Sequence, residues 1–77
     1  METHIQIKLF ATLQHFTPPL SDKYQIEPGI TIQSLLNLLG VPEEKAKLIF
    51  IDGVKVNLMA TLNGGERVGI FPPVGGG

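Results

Sequence analysis

The 77 residues form a single domain with a thin core, because a chain of this length buries only about 60% of the surface that its unfolded form exposes. A core of this size leaves little room for a multi-step catalytic cleft. The 43% hydrophobic content argues against disorder, and a net charge of −1 with six scattered basic residues argues against a nucleic-acid-backbone binder. The absence of cysteine excludes disulfides, zinc knuckles and thiol catalysis and fits a reducing compartment.

The first predicted element is a strand with one buried face. Apolar side chains alternate with other residues at Ile5, Ile7 and Leu9. A period of two is typical of a strand, and residues 23–27 show the same alternation. The prolines at 18 and 19 interrupt regular structure between them. We expect these two strands to form a hairpin with a long loop.

A single main helix is predicted next. Thr31 can cap its N-terminus, and Gly40 supplies a C-terminal stop. The apolar residues between them follow the i, i+3, i+4, i+7 spacing of one buried stripe, at Ile32, Leu35, Leu36 and Leu39. Beyond the helix, a short helical turn is expected at 42–45, where Glu43 and Glu44 would form a solvated face.

The second half of the sequence predicts three more strands. β-formers occupy residues 48–51 and 54–56, and the Asp52-Gly53 pair between them is a strong signal for a two-residue hairpin turn. A turn at 63–65 leads into the last predicted strand at 68–71. The order of elements predicts an α+β fold with the β-grasp, or ubiquitin-like, arrangement, in which one main helix packs across one face of a mixed sheet of four to five strands.

The end of the sequence is its most informative segment. Pro72 and Pro73 stop the last strand because neither can donate a ladder hydrogen bond. We therefore assign residues 1–73 to the β-grasp domain and 74–77 to a flexible glycine-rich tail. Glycines lack a Cβ, so the tail could thread a narrow channel in a partner and present the carboxylate of Gly77 to a nucleotide.

The chemistry open to that carboxylate is acyl activation. It is an anion at neutral pH and can attack the α-phosphate of ATP. A sulfur nucleophile can then displace AMP from the mixed anhydride and leave a thiocarboxylate on Gly77. The alternative interpretation is a frayed chain end without a function.

The sequence resembles the MoaD/ThiS family of sulfur carriers over its whole length, and it is most similar to the small subunit of molybdopterin synthase. The terminal motif is the most specific part of this resemblance. The matching segments are residues 9–13, the helix that begins near Thr31, the Asp52-Gly53 hairpin, residues 62–68 and residues 71–77.

The resemblance implies a carrier with no catalytic residues of its own and no bound cofactor. A ubiquitin-activating-type enzyme would adenylate Gly77 with ATP, and a sulfurtransferase would supply the sulfur. In the molybdopterin branch, the chain would be the small subunit of a synthase, and its tail would enter the large subunit to build the dithiolene of a pterin. The tail residues that would thread the partner's active site are Gly75, Gly76 and Gly77.

The residues at the root of the tail are candidates for docking on a partner. They are Phe71, Pro72, Pro73 and Val74. A core position is the alternative for Phe71. Two glycines depart from the family's pattern: Gly64 replaces the first acid of the turn before the last strand, and Gly75 replaces a frequent Ala or Ser. An adenylating partner that reads the missing acid would bind differently.

Three classes of function remain open on the sequence: a sulfur carrier, a protein modifier joined through Gly77 to lysines, and a non-covalent interaction module. The Pro-Pro-Val approach to the glycines favours the carrier. Molybdopterin synthesis is the first choice of pathway because of the segment 71–74. Thiamin synthesis, tungsten cofactor synthesis, tRNA thiolation and an amino-acid route remain alternatives.

The remaining features predict what the protein does not bind. His4 and His15 have no third ligand at a suitable spacing for a metal. No apolar run approaches the length of a membrane span, and the N-terminus lacks the features of a signal peptide. We therefore expect a cytoplasmic protein without a metal, a membrane anchor or a nucleic-acid partner.

Overall fold

The computed structural model describes residues 3–73. The strands in this range are β1 (Thr3–Leu9), β2 (Tyr24–Ile26), β3 (Ile30–Thr31), β4 (Leu48–Ile51), β5 (Val54–Val56), β6 (Thr61–Leu62) and β7 (Arg67–Phe71). The helices are α1 (Ile32–Leu39) and three 3₁₀ helices at Ala11–Phe16, Ser21–Lys23 and Glu43–Lys45. Among residues 3–73, none of the helices combines the length and the apolar character that crossing a bilayer requires.

Five strands form one mixed sheet in the order β2-β1-β7-β4-β5. β1 and β7 pair in parallel at its centre, while β2, β4 and β5 pair antiparallel with their neighbours. The predicted mixed sheet of four to five strands with one main helix is therefore confirmed. β3 and β6 form a separate two-residue ladder that the sequence analysis did not predict, because two residues are too short to show an alternation.

The local signals for the helix and the tight turn are confirmed. The Thr31 side chain accepts a hydrogen bond from the Ser34 N–H at 3.1 Å, and Gly40 ends the helix with φ +78°. Asp52 and Gly53 both have positive φ, at +51° and +84°, as a two-residue hairpin turn between twisted strands requires. Short-range chemistry therefore fixes the ends of α1 and the register of β4 with β5.

A single hydrophobic core packs between α1 and one face of the sheet. The helix contributes Ile32, Leu35 and Leu36, while Leu39 is half-buried at its margin. The alternating residues of β1 and β7 supply most of the opposing side, at Ile5, Ile7, Leu9, Val68 and Ile70. Within residues 3–73 the buried side chains are all apolar, so the core of this domain contains no buried polar site.

Two leucines of α1 provide a matched test of this core. Leu35 is fully buried, whereas Leu38 is 64% exposed on the same helix. We expect Leu35→Ala to lower the free energy of unfolding by about 2 to 5 kcal/mol, because it removes transfer free energy and leaves a cavity. Leu38→Ala makes the same chemical change at the surface and should stay within about 0.5 kcal/mol of the unsubstituted protein. Urea unfolding measures both, and equal losses would contradict the assignment of the core face.

Candidate functional site

The structure describes the root of the tail as far as Pro73. β7 ends at Phe71 as predicted, Pro72 is half-buried and Pro73 is exposed. The remaining predicted tail residues, Val74, Gly75, Gly76 and Gly77, lie outside the described residues. Because β7 is the middle strand of the five, the chain leaves the sheet at its centre and not at an edge.

Phe71 lies on the face of the sheet that α1 does not cover. Val68 and Ile70 point into the core, so the period of two along β7 places Phe71 on the opposite side. Its ring stacks on Phe10 with centroids 4.1 Å apart and an interplanar angle of 1°. Phe50 meets the Phe71 ring edge-on at 5.7 Å. Phe71 is half-buried and lies outside the core, so the alternative assignment of Phe71 to the core is wrong.

We call this uncovered surface the outer face. It contains a shallow hollow of about 510 Å³ that opens directly beside the root of the tail. Cross-strand pairing adds Lys55, which lies opposite Phe50 in the register of β4 with β5. The residues that make up the outer face are Lys8, Phe10, Phe50, Asp52, Lys55, Arg67, Gly69 and Phe71.

The sequence analysis named only one of the three phenylalanines of the outer face. The alternation in β1 places Phe10 on the same side as Lys8, which was a usable signal. No sequence signal indicates the side of the sheet on which Phe50 lies, because residues 48–51 are all apolar and show no alternation. Only the strand order shows that β1 and β4 flank β7 and so bring all three rings together.

The charged groups of the outer face are mostly basic. Lys8, Lys55 and Arg67 are exposed on it. Its carboxylate, Asp52, accepts a hydrogen bond from the Arg67 N–H at 3.0 Å, and the Asp52 N–H donates to the Arg67 carbonyl at 2.8 Å. Asp52 therefore joins the β4–β5 turn to the start of β7. A further acid, Asp22, lies beside Lys8 beyond the edge of β1.

The turn before β7 is held by its own acid. One Glu66 carboxylate oxygen accepts the Gly64 N–H at 2.7 Å, and the other accepts the Asn63 N–H at 2.9 Å. Gly64 has φ +126°, and a Cβ at this position would collide with the side chain of Thr3. Where the family usually has an acid, this backbone therefore requires glycine. The acid that this turn keeps, Glu66, uses both carboxylate oxygens to accept hydrogen bonds from the backbone of the turn.

The other polar residues singled out in the sequence lie apart from this surface. His4 is exposed on β1, and the ring of His15 lies against Phe16 at 4.3 Å. In the described range, no group of three His, Asp or Glu side chains is placed to hold a metal ion. Glu43 and Glu44 are both exposed, and Glu43 accepts a hydrogen bond from the Gln33 amide at 2.7 Å.

Comparison with protein families identifies the chain. The model of the ThiS family matches residues 7–77, which run from β1 to the end of the sequence. The chain belongs to the ThiS family. The predicted resemblance to MoaD/ThiS sulfur carriers is thereby confirmed, and the chain belongs with small ubiquitin-like carrier proteins. A search of curated proteins found no match.

Solved structures confirm the fold of this ThiS-family chain. The solution structure of the Haloferax volcanii HVO 2177 protein is 20% identical with a TM-score of 0.73, and the match covers 99% of this chain and 88% of that one. SAMP1 from Haloferax volcanii is 20% identical with a TM-score of 0.64, and both chains are fully covered. A putative molybdopterin converting factor, subunit 1, from Pyrococcus furiosus is 24% identical with a TM-score of 0.63 over 94% of this chain and 99% of that one. The predicted β-grasp architecture is therefore confirmed.

The Glu66 turn of this ThiS-family protein gives a second testable expectation. Glu66→Ala removes the acceptor of two backbone N–H groups and should lower the free energy of unfolding by about 1 to 3 kcal/mol. Glu44→Ala makes the same change at an exposed position and should have an effect below about 0.5 kcal/mol. Chemical denaturation of both variants checks this. A Glu66 variant as stable as the Glu44 variant would show that the turn does not depend on the carboxylate.

Proposed function

We propose that this protein carries sulfur as a thiocarboxylate on Gly77 and delivers it in molybdopterin synthesis in the cytoplasm. The observation that carries the proposal is the extent of the family match, which includes the tail and ends at Gly77. The position of the tail root supports it. The chain leaves the centre of a hydrogen-bonded sheet beside a half-buried aromatic cluster, which suits a terminus that a partner must bind and take into its active site.

The chain itself supplies the group that is acted upon. A ubiquitin-activating-type enzyme joins the Gly77 carboxylate to the α-phosphate of ATP and releases pyrophosphate. The outer persulfide sulfur of a sulfurtransferase then attacks the same carbonyl carbon and displaces AMP, and a thiol reductant cleaves the resulting acyl disulfide, which leaves the thiocarboxylate on Gly77 and a disulfide on the partner. Gly75, Gly76 and Gly77 thread the active site of each partner, and the catalytic groups and the nucleotide belong to the partners. Sulfur bound in this way needs no cysteine in the carrier, and the chain has none.

Molybdopterin is the preferred destination for two reasons. The segment Phe71-Pro72-Pro73-Val74 is typical of the molybdopterin branch, and one structural neighbour is described as a putative molybdopterin converting factor, subunit 1. In this pathway the tail enters a large synthase subunit, while Phe71 and the two prolines dock at its entrance. Other sulfur acceptors and attachment to protein lysines share the same activated Gly77, so they differ only in the final transfer.

Intact-mass measurement tests the chemistry. After incubation with the activating enzyme, ATP and a sulfur source, we expect the protein to gain the mass difference between one sulfur and one oxygen. A chain that lacks Gly77 should keep its original mass, whereas the Glu44→Ala variant, with an intact tail, should react like the unsubstituted protein. An unchanged mass in the presence of an enzyme that turns over ATP with this chain would refute the carrier function.

The same product then tests the pathway. The thiocarboxylate form, mixed with the large synthase subunit and its pterin precursor, should lose its sulfur and yield the dithiolene. Persistence of the thiocarboxylate in that mixture would exclude the molybdopterin route. Adducts of higher mass joined to lysine would instead identify a protein modifier.

A further inference from the structure

Asn63 is the one asparagine of the sequence that a glycine follows. The three asparagines are Asn37, Asn57 and Asn63, and all of them are exposed. Leucine follows the first two, whereas Gly64 follows Asn63. An asparagine side chain deamidates when the backbone nitrogen of the next residue attacks its Cγ, and a following glycine leaves this approach open because it has no Cβ. The sequence context therefore distinguishes Asn63 from the other two.

The packing of the turn does not allow a bulkier residue in place of Gly64. Its backbone has φ +126°, and a Cβ there would collide with the side chain of Thr3. Thr3 begins β1, and the turn is bonded to the same strand, because the Gly65 N–H donates to the His4 carbonyl at 2.8 Å. The contact of the turn with β1 therefore imposes a glycine next to Asn63.

The nitrogen that would attack is held by Glu66. The Gly64 N–H donates to one carboxylate oxygen at 2.7 Å, and the Asn63 N–H donates to the other at 2.9 Å. Attack requires the Gly64 nitrogen to lose its proton and to turn toward Cγ of Asn63. Rotation of the peptide group breaks its bond to Glu66, and a carboxylate at this distance disfavours a second negative charge on the nitrogen. Glu66 therefore opposes the reaction in two ways.

We propose that Asn63 is a site of spontaneous deamidation and that Glu66 sets its rate by holding the Gly64 nitrogen. In the first step, the Gly64 nitrogen bonds to Cγ of Asn63 while the bond from Cγ to Nδ2 breaks. The proton of the Gly64 N–H leaves with the side-chain nitrogen as ammonia, and the product is a cyclic imide. Water then opens the ring at one of its two carbonyl carbons.

The two products of ring opening change the turn in different ways. Opening at Cγ gives aspartate, which adds a carboxylate to the turn that already contains Glu66. Opening at the backbone carbonyl carbon gives isoaspartate, which lengthens the main chain by a methylene. This part of the main chain is bonded to β1, where the Gln6 N–H donates to the Glu66 carbonyl at 3.0 Å. Isoaspartate therefore alters the spacing of these bonds at the start of β7.

The other asparagines and the second acid-glycine pair can be told apart from this site. The Asn57 side-chain oxygen accepts the Met59 N–H at 2.8 Å, and Asn37 lies within α1, where backbone N–H groups donate to the preceding turn. The pair Asp52-Gly53 can form the same imide, but the imide then returns to aspartate or isoaspartate without a change in mass. A gain in mass therefore reports on side-chain amides and not on Asp52.

Intact mass and peptide mapping test the site. At mildly alkaline pH the protein should release ammonia and gain the mass difference between a hydroxyl and an amino group, at Asn63 and not at Asn37 or Asn57. Asn63→Gln should show no such gain over the same period, because its longer side chain closes the ring more slowly. Faster conversion at Asn37 or Asn57 would overturn the assignment. So would the absence of conversion in both the unsubstituted protein and Glu66→Ala.

Variants of Glu66 test its control of the rate. Glu66→Ala should deamidate at least about tenfold faster, because two hydrogen bonds to a charged group no longer hold the backbone. Glu66→Gln keeps the shape and removes the charge, so its rate should fall between the two. Glu44→Ala, at an exposed position outside the turn, should stay within about twofold of the unsubstituted protein. An equal rate in Glu66→Ala would overturn the role of Glu66, and a slower rate would identify the carboxylate as the base.

A core variant separates release of the turn from unfolding of the domain. Glu66→Ala also lowers the stability, so its rate must be compared with that of a variant destabilised elsewhere. Leu35→Ala removes core contacts and leaves the turn intact. Under conditions in which both variants are folded, Leu35→Ala should deamidate within about twofold of the unsubstituted rate, because the turn opens locally. Equal acceleration in the two variants would assign the reaction to the unfolded chain and overturn the role of Glu66.

Discussion

The parallel pairing of β1 with β7 is the constraint on which the rest of the structure depends. It joins the first and last strands of the domain, with Ile7 opposite Val68 and Leu9 opposite Ile70. These residues build the centre of the core against α1. The same ladder continues to Phe10, whose N–H donates to the Ile70 carbonyl, and so places the Phe10 ring beside Phe71. One pairing therefore creates both the core and the aromatic centre of the outer face.

Features encoded by neighbouring residues could be predicted from the sequence. The cap at Thr31, the stop at Gly40 and the Asp52-Gly53 turn each depend on chemistry within a few residues. The alternation of β1 likewise gave its buried face. Where the signal is short or ambiguous, prediction failed: β3 and β6 have two residues each, and the 3₁₀ helix Ala11–Phe16 lies in a segment without a clear period.

The candidate site likewise has one part that neighbouring residues encode and another part that depends on contacts between distant residues. The tail could be proposed from sequence because its chemistry belongs to a few consecutive residues that end in Gly77, and it stays a prediction because residues 74–77 lie outside the described residues. The outer face could not, because Lys8, Phe50 and Gly69 become neighbours only through the strand order. The role of Gly64 was also hidden, since the side chain that requires glycine there is Thr3, at the opposite end of the chain. Contacts between distant residues therefore carry the information that the sequence pattern lacks.

The central position of β7 also has a mechanical consequence. Under the proposed function, a partner that holds the tail would place a load on β7, which is paired with β1 on one side and β4 on the other. A force along a strand loads the hydrogen bonds of both ladders together, whereas a force across an edge strand would break them one after another. In the proposed complex, the two ladders of β7 would therefore share a load applied at the end of this strand.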